Sequence, residues 1–189
     1  VSSFSFHQTG PVQFGWAHSL HPVETKYVQG TVVMPSDKDM TQGTIWSTYT
    51  LPFAVFAMPG VVNAALAEQT GFDYDDFELL LEALWRGTSA RQARGRGIQK
   101  PVLLIAVEYA DPFYRIGYLE ENIAIEPDRS AWLSDCPPTQ LSDVVIDVTS
   151  LGELLDKERK ASRIGAIRYW ADDGLRMKGD LPGVREALW

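Results

Sequence analysis

The chain has 189 residues, a mass of 21.1 kDa, 45% hydrophobic and 22% charged residues, and a formal net charge of −8. These values fit one folded domain, or one domain with an appended element, and argue against disorder. No run of about 18 uncharged apolar residues occurs, so no transmembrane helix is expected. No basic segment leads into an apolar stretch after Val1, so no secretory signal is expected either. The single cysteine, Cys136, precludes an internal disulfide and fits a reducing compartment, so the expected location is cytoplasmic.

Residues Val1–Phe6 alternate weakly before a turn signal at Thr9-Gly10-Pro11. Pro11–Leu20 has the period of a strand, with Val12, Phe14, Trp16 and His18 on one face. His18 and His21 share no register with a carboxylate or a cysteine, so both are expected to be strand-surface or core residues. Val23–Met34 and Thr41–Leu51 are rich in Thr, Val, Tyr and Trp, and they flank the polar turn Pro35–Met40. That pattern predicts a hairpin. Threonine-rich strands bury little, so the hairpin reads as a projecting arm that reaches a ligand or a neighbouring subunit, or as a meander at a sheet edge.

Leu51–Val62 is apolar and reads as a central strand. Asn63–Gly71 is a short helical turn closed by Gly71. Phe72–Gly87 is an amphipathic helix. Asp73, Asp75 and Asp76 stand where negative charge meets the positive end of the helix dipole. Phe77, Leu80, Leu81 and Leu84 form its inward face, and Gly87 is its expected stop. Pro101–Tyr109 is a second apolar strand. Strand, helix and strand together predict half of a ferredoxin-like β-α-β unit, with Phe53, Phe56 and Tyr109 on its strands, able to stack bases but expected in its core. Further on, Ile116–Ile125 reads as extended, Asp128–Asp143 as a loop and Val144–Thr149 as a strand. Leu151–Ile164 is a helix with Leu151, Leu154, Leu155 and Ile164 inward, Gly165–Asp173 is a strand, and the tail from Leu175 is expected to fray. The predicted class is α+β.

Chemistry-bearing motifs are missing. There is no GxxxxGK[ST] phosphate loop and no GxSxG nucleophile turn, and Gly95-Arg96-Gly97 follows a helix rather than a strand. Cys136 lies beside Pro137-Pro138 with no neighbouring histidine, so it reads as a neutral thiol. Three histidines and one cysteine show no metal-ligand spacing. No catalytic residue, metal or cofactor is therefore expected, and a binding or scaffolding role is favoured. The charge is segregated. Between Ala83 and Val107 stand Arg86, Arg91, Arg94, Arg96 and Lys100 with no acid, a window of +5 that leaves −13 for the remainder. This is one positive face on an acidic body, or a solvated basic loop.

Three stretches carry a family resemblance: TGPVQFGWAHSLHPVE (Thr9–Glu24), MTQGTIWSTYTLPFAVFAMPGVVNAALAEQTGFDYDDFELLLEALWRGT (Met40–Thr88) and RGRGIQKPVLLIAVEY (Arg94–Tyr109). They resemble the backbone subunit of CRISPR Cascade effector complexes, nearest to the type I-B subgroup. The C-terminal pattern of strand, leucine helix and Ile167-Arg168-Tyr169-Trp170 is similar but looser. The resemblance implies a single RRM-like, ferredoxin-like palm, with residues 144–173 as a C-terminal strand-helix-strand and residues 23–51 as a projecting hairpin thumb. It implies copies that polymerise along a guide RNA (crRNA) and associate with other Cascade subunits. Each thumb displaces one nucleotide, leaving the bases between thumbs free to pair with target DNA. Met34, Met40 and Trp46 are the implied thumb wedge, and Lys26, Lys38, Arg86, Arg91, Arg94, Arg96 and Lys100 the implied RNA contacts.

Physical chemistry agrees with such a role. A guide of any sequence must be held through its phosphates and must leave its pairing edges free. Accordingly, the base-stacking aromatics of single-strand-reading RRMs are not evident in the predicted central strands. The family's N-terminal half, with a first palm strand and helix, has no counterpart here, so the sheet is expected to expose an edge. The acidity is read as an outer surface adapted to high salt. Two rivals remain: an RNA-cleaving backbone subunit of the type III kind, which needs a catalytic Asp on an N-terminal loop, and a scaffold that oligomerises without nucleic acid.

Overall fold

The computed structural model describes residues 7–31, 45–91 and 99–189. Six short strands come first: β1 (Val12–Phe14), β2 (His18–Ser19), β3 (Lys26–Thr31), β4 (Ile45–Thr50), β5 (Phe56–Ala57) and β6 (Gly60–Val62). Helices α1 (Ala64–Thr70) and α2 (Tyr74–Ala90) follow, then β7 (Leu103–Tyr109), β8 (Ala124–Glu126) and the short α3 (Arg129–Trp132). The chain closes with β9 (Val145–Asp147), α4 (Thr149–Lys160), β10 (Ile164–Ala171), β11 (Met177–Lys178) and β12 (Val184–Arg185). The mixed α+β class is as expected.

Leu51–Val62 is not a central strand. Proline supplies no ladder donor, and Pro52 and Pro59 break this stretch into β5 and β6. These pair antiparallel with β2 and β1, not with β7. Among the described residues, β7 instead pairs antiparallel with β10, and β12 adds in parallel on the far side of β10. The β-α-β half-unit read from sequence is therefore split among three separate ladders, two before α2 and one after it.

Gly71 and the acids that open α2 act at the helix ends as expected, and Asn63 adds a cap. Asn63 Oδ1 accepts the Ala65 and Leu66 N–H groups, and Gly71 takes the left-handed conformation (φ 74°) that ends α1. Asp73 and Asp76 cap α2 reciprocally. Gly87 does not stop α2, which continues to Ala90 with the Thr88 and Ser89 hydroxyls donating back to the Leu84 and Trp85 carbonyls. Leu81 and Trp85 are the buried residues of α2, with Phe77 at the margin.

The β7–β10 ladder is a middle layer. Opposed pairs Leu104/Trp170 and Ala106/Arg168 face α2, and with Leu81 and Trp85 they build the smaller core. The pairs Leu103/Ala171, Ile105/Tyr169, Val107/Ile167 and Tyr109/Ile164 lie on the other side, where α4 and the β8–β9–β11 sheet supply Leu151, Leu155, Ile146 and Val148. Ile164 and Ile167 share that face although they are three residues apart, because the register shifts between Ile164 and Ala166. The shift is the signature of a bulge, which inserts one extra residue into a strand.

The C-terminal stretch does not fray. β11 pairs with β9, β12 with β10, and Leu181 is buried. Close backbone approach holds it: a Cβ at Gly152 would stand 2.1 Å from the Asp180 carbonyl oxygen, and one at Gly179 (φ 86°) would stand 2.7 Å from Thr149. Among the described residues no helix is long and apolar enough to cross a membrane.

Candidate nucleic-acid interface

Among the described residues the β3–β4 hairpin forms a sheet of its own, in register from Lys26↔Thr50 to Thr31↔Ile45. Most of its positions are exposed on both faces. Period-2 alternation puts Tyr27, Tyr49 and Ile45 on one face and Lys26, Val28, Thr48 and Trp46 on the other. The Tyr27 and Tyr49 rings meet across the strands at 5.4 Å. Trp46 lies over Gly30, where a Cβ would sit 2.5 Å from the indole. The missing side chain lets the ring rest flat on the backbone while half of it stays in water. Trp46 is 47% exposed and Tyr49 71%. Met34, Lys38 and Met40 lie outside the described residues.

The root of the hairpin is tied to the body at His21. Its Nε2 accepts the Val55 N–H at 3.0 Å, and its Nδ1 lies 2.8 Å from the Pro22 carbonyl oxygen. Since Nε2 accepts, Nδ1 carries the proton of the neutral ring and donates to Pro22. Leu20 N–H donates to the Val55 carbonyl at 2.9 Å. The imidazole stacks on Trp132 of α3, centroid to centroid at 3.5 Å and 13° between planes. Desolvation in this setting pushes the His21 pKa below its ordinary 6.5, although the Pro22 carbonyl favours the charged ring. His21 is thus a core residue, as its lack of partner ligands in sequence suggested.

The basic residues are less uniform than their spacing implied. Arg86, on the exposed side of α2, pairs with Glu82 one turn earlier. Lys100 pairs at 2.8 Å with Asp172, whose carboxyl it holds below the usual range. The acid-free window conceals both partners, one just before it in sequence and the other brought in by the fold. Among the described residues Lys26 and Arg91 have no ion-pair partner; Lys26 begins β3 and Arg91 follows the last turn of α2. Arg94 and Arg96 lie outside the described residues. The structure therefore brings Arg91 and Lys100 to the two ends of one connection and leaves Lys26 on the hairpin.

Sequence reading missed the exposed aromatics Tyr27 and Tyr49, although their opposite positions follow from the hairpin register. It also missed Arg168, which joins α2 to the sheet by two hydrogen bonds to the Glu78 carboxylate and stacks over Trp170. Phe56, expected in the core, is 52% exposed, while Phe53 and Tyr109 pack at the edge of the main core. Cys136 is free and exposed. Among the described residues no group of three His, Cys, Asp or Glu side chains is placed to hold a metal ion.

This fold is shared with chains of solved RNA-guided assemblies. One, described as "CRISPR RNA-guided surveillance complex", aligns with a TM-score of 0.54 at 17% identity, covering 95% of this chain and 66% of that one. A second, "CRISPR RNA-guided surveillance complex, pre-nicking", aligns with a TM-score of 0.57 at 15% identity, covering 96% and 48%. The particular family follows from sequence. The family described as "CRISPR-associated protein Cas7" matches residues 2–149. A curated "CRISPR-associated protein Cas7" of Haloferax volcanii is 32% identical over 196 aligned residues, covering 100% of this chain and 55% of the relative. The chain belongs to the CRISPR-associated Cas7 family, and it spans about half the length of that relative.

Proposed function

We propose that the chain is the guide-RNA-binding part of a backbone subunit of a type I Cascade surveillance complex, closest to type I-B. Copies line up along the guide, beside other Cascade subunits, and present its bases to target DNA; the chain itself catalyses nothing. The observation that carries this reading is the β3–β4 hairpin, an arm with both faces exposed and Trp46 laid over Gly30. Family membership and the likeness to chains of RNA-guided complexes support it. In this reading the hairpin is the thumb, and β7, β10 and α2 belong to the palm. Both faces of the β7–β10 ladder are covered by packed side chains, so bases do not stack on it, and RNA is held at the hairpin and the basic connection.

Arg91, Arg94 and Arg96 then contact phosphates, and the hairpin separates nucleotides. Changing the three arginines to Ala should weaken binding of unrelated single-stranded RNAs alike. The slope of log affinity against log salt should fall by about 2, since each lost single-strand phosphate contact removes roughly 0.7. Unchanged affinity and slope would refute the basic connection as the contact. Absence of any RNA binding by the wild-type chain would refute the whole reading.

A further inference from the structure

The hairpin leaves the body through two backbone segments, residues 20–26 and 50–55, and both converge on one imidazole. We propose that His21 is a proton-sensitive latch. While neutral it locks the two legs of the hairpin to each other and to α3, and when protonated it releases them. The inference rests on the proposed role of the hairpin only for its functional consequence.

The geometry leaves no room for a second proton. Nδ1 is already the donor to Pro22, and Nε2 faces the Val55 N–H at 3.0 Å. Protonation of Nε2 would point one N–H at another, turning an attraction into a repulsion. His21 is 7% exposed and its ring lies flat on Trp132, whose own Nε1 donates to the Pro127 carbonyl at 3.0 Å. Trp132 therefore cannot turn to follow the imidazole without losing that bond. The same residues make the remaining ties: Leu20 N–H to the Val55 carbonyl at 2.9 Å, and Ser19 Oγ to the His21 carbonyl at 2.8 Å.

Burial, rather than a neighbouring charge, favours the neutral ring. Residues 19–22 and 53–57 bring no ionisable side chain besides His21 itself. Arg129 of α3 lines the pocket beside the ring. Glu126, at the end of β8, has its carboxylate drawn to Lys178. No carboxylate among the described residues is hydrogen-bonded to the imidazole to welcome a proton.

The test is an NMR pH titration of the full chain with two variants, His21→Gln, which keeps an acceptor for Val55 but does not titrate, and His21→Phe, which keeps only the stacking. In the wild type the Val55 amide and the hairpin amides Lys26 and Thr50 should shift together with the His21 ring, at one midpoint below 6.5. That step should vanish in His21→Gln. His21→Phe should show the released hairpin signals at neutral pH. Hairpin amides that ignore the His21 midpoint, or that show the same step in His21→Gln, would overturn the latch. Should a variant not fold, as judged by the β7–β10 amides, the wild-type titration alone decides. Affinity for a single-stranded RNA 30-mer, measured across the same pH range, reads the consequence. Coupled amides with an unmoved RNA affinity would uphold the latch and count against the hairpin as an RNA contact.

Discussion

Residues 144–171 and residues 12–62 use apolar side chains in opposite ways. In the first, Val144, Ile146, Val148, Leu151, Leu155, Ile164, Ile167 and Trp170 are all almost wholly out of water. Among the described residues of the second, Val55 is the buried hydrophobic, while Phe14, Trp16, Tyr27, Ile45, Trp46, Tyr49 and Phe56 are largely exposed. The first region is held by burial, the dominant favourable term in folding. The second consists of two- and three-residue ladders, one longer hairpin and a polar root at His21. A lone two-stranded hairpin is marginal in water, and large exposed apolar patches mark interaction sites. Residues 144–171 thus supply stability, and the described part of residues 12–62 supplies surface.

Truncating one residue in each region should give very different losses of stability. Leu155→Ala should cost about 2–5 kcal/mol in a denaturant titration, whereas Tyr49→Ala should stay within about 0.5 kcal/mol. Equal losses would mean that the hairpin belongs to the cooperative core. Gly152→Ala comes next. Its methyl would meet the Asp180 carbonyl oxygen at 2.1 Å, so a loss of about 1–3 kcal/mol is expected, with the amides of β11 and β12 the most disturbed. A neutral Gly152→Ala would show that the C-terminal stretch moves freely.

Acid should separate the regions in order. His21 has a folded pKa below 6.5, so its contribution is complete above pH 6.5 and fades as pH drops below that value. Asp147 accepts hydrogen bonds from Thr149 and is paired with Lys178, which lowers its pKa from 3.8 to about 2. Its contribution is complete above pH 3.8 and is lost only as pH falls toward 2. Hydrogen exchange should therefore quicken near Val55 before it quickens in β9 and β11. Simultaneous loss would merge the two regions into one unit. The smallest expected effect concerns two arginines. Arg91→Ala should lower the salt slope of RNA binding by roughly 0.7, and Arg86→Ala by less, because Glu82 already engages that guanidinium.

Legibility in the sequence followed the same divide. Helix α4, strand β10, the end of α1 and the start of α2 were readable because their signals are local: leucines at helical spacing, Asp73 and Gly71. The middle strand was misplaced because Pro52 and Pro59 outweigh the apolarity of Leu51–Val62, and because the pairing of β7 with β10 spans residues far apart in the chain. β11 and β12 carry too few residues to show a period; the contacts of Gly152 and Gly179 place them. At the candidate interface, residue types were legible but their partners were not. Glu82 stands one helical turn before Arg86, but Asp172 reaches Lys100 only once the chain is folded, and the stacking of His21 on Trp132 joins positions more than a hundred residues apart.

In the proposed reading, the chain holds RNA through its phosphates and ignores its sequence. Fluorescence anisotropy with two single-stranded RNAs of unrelated sequence, each over a salt series, tests it most directly. Equal affinities and one common negative salt slope are expected for both RNAs. A marked preference for one sequence, or binding that does not respond to salt, would contradict it.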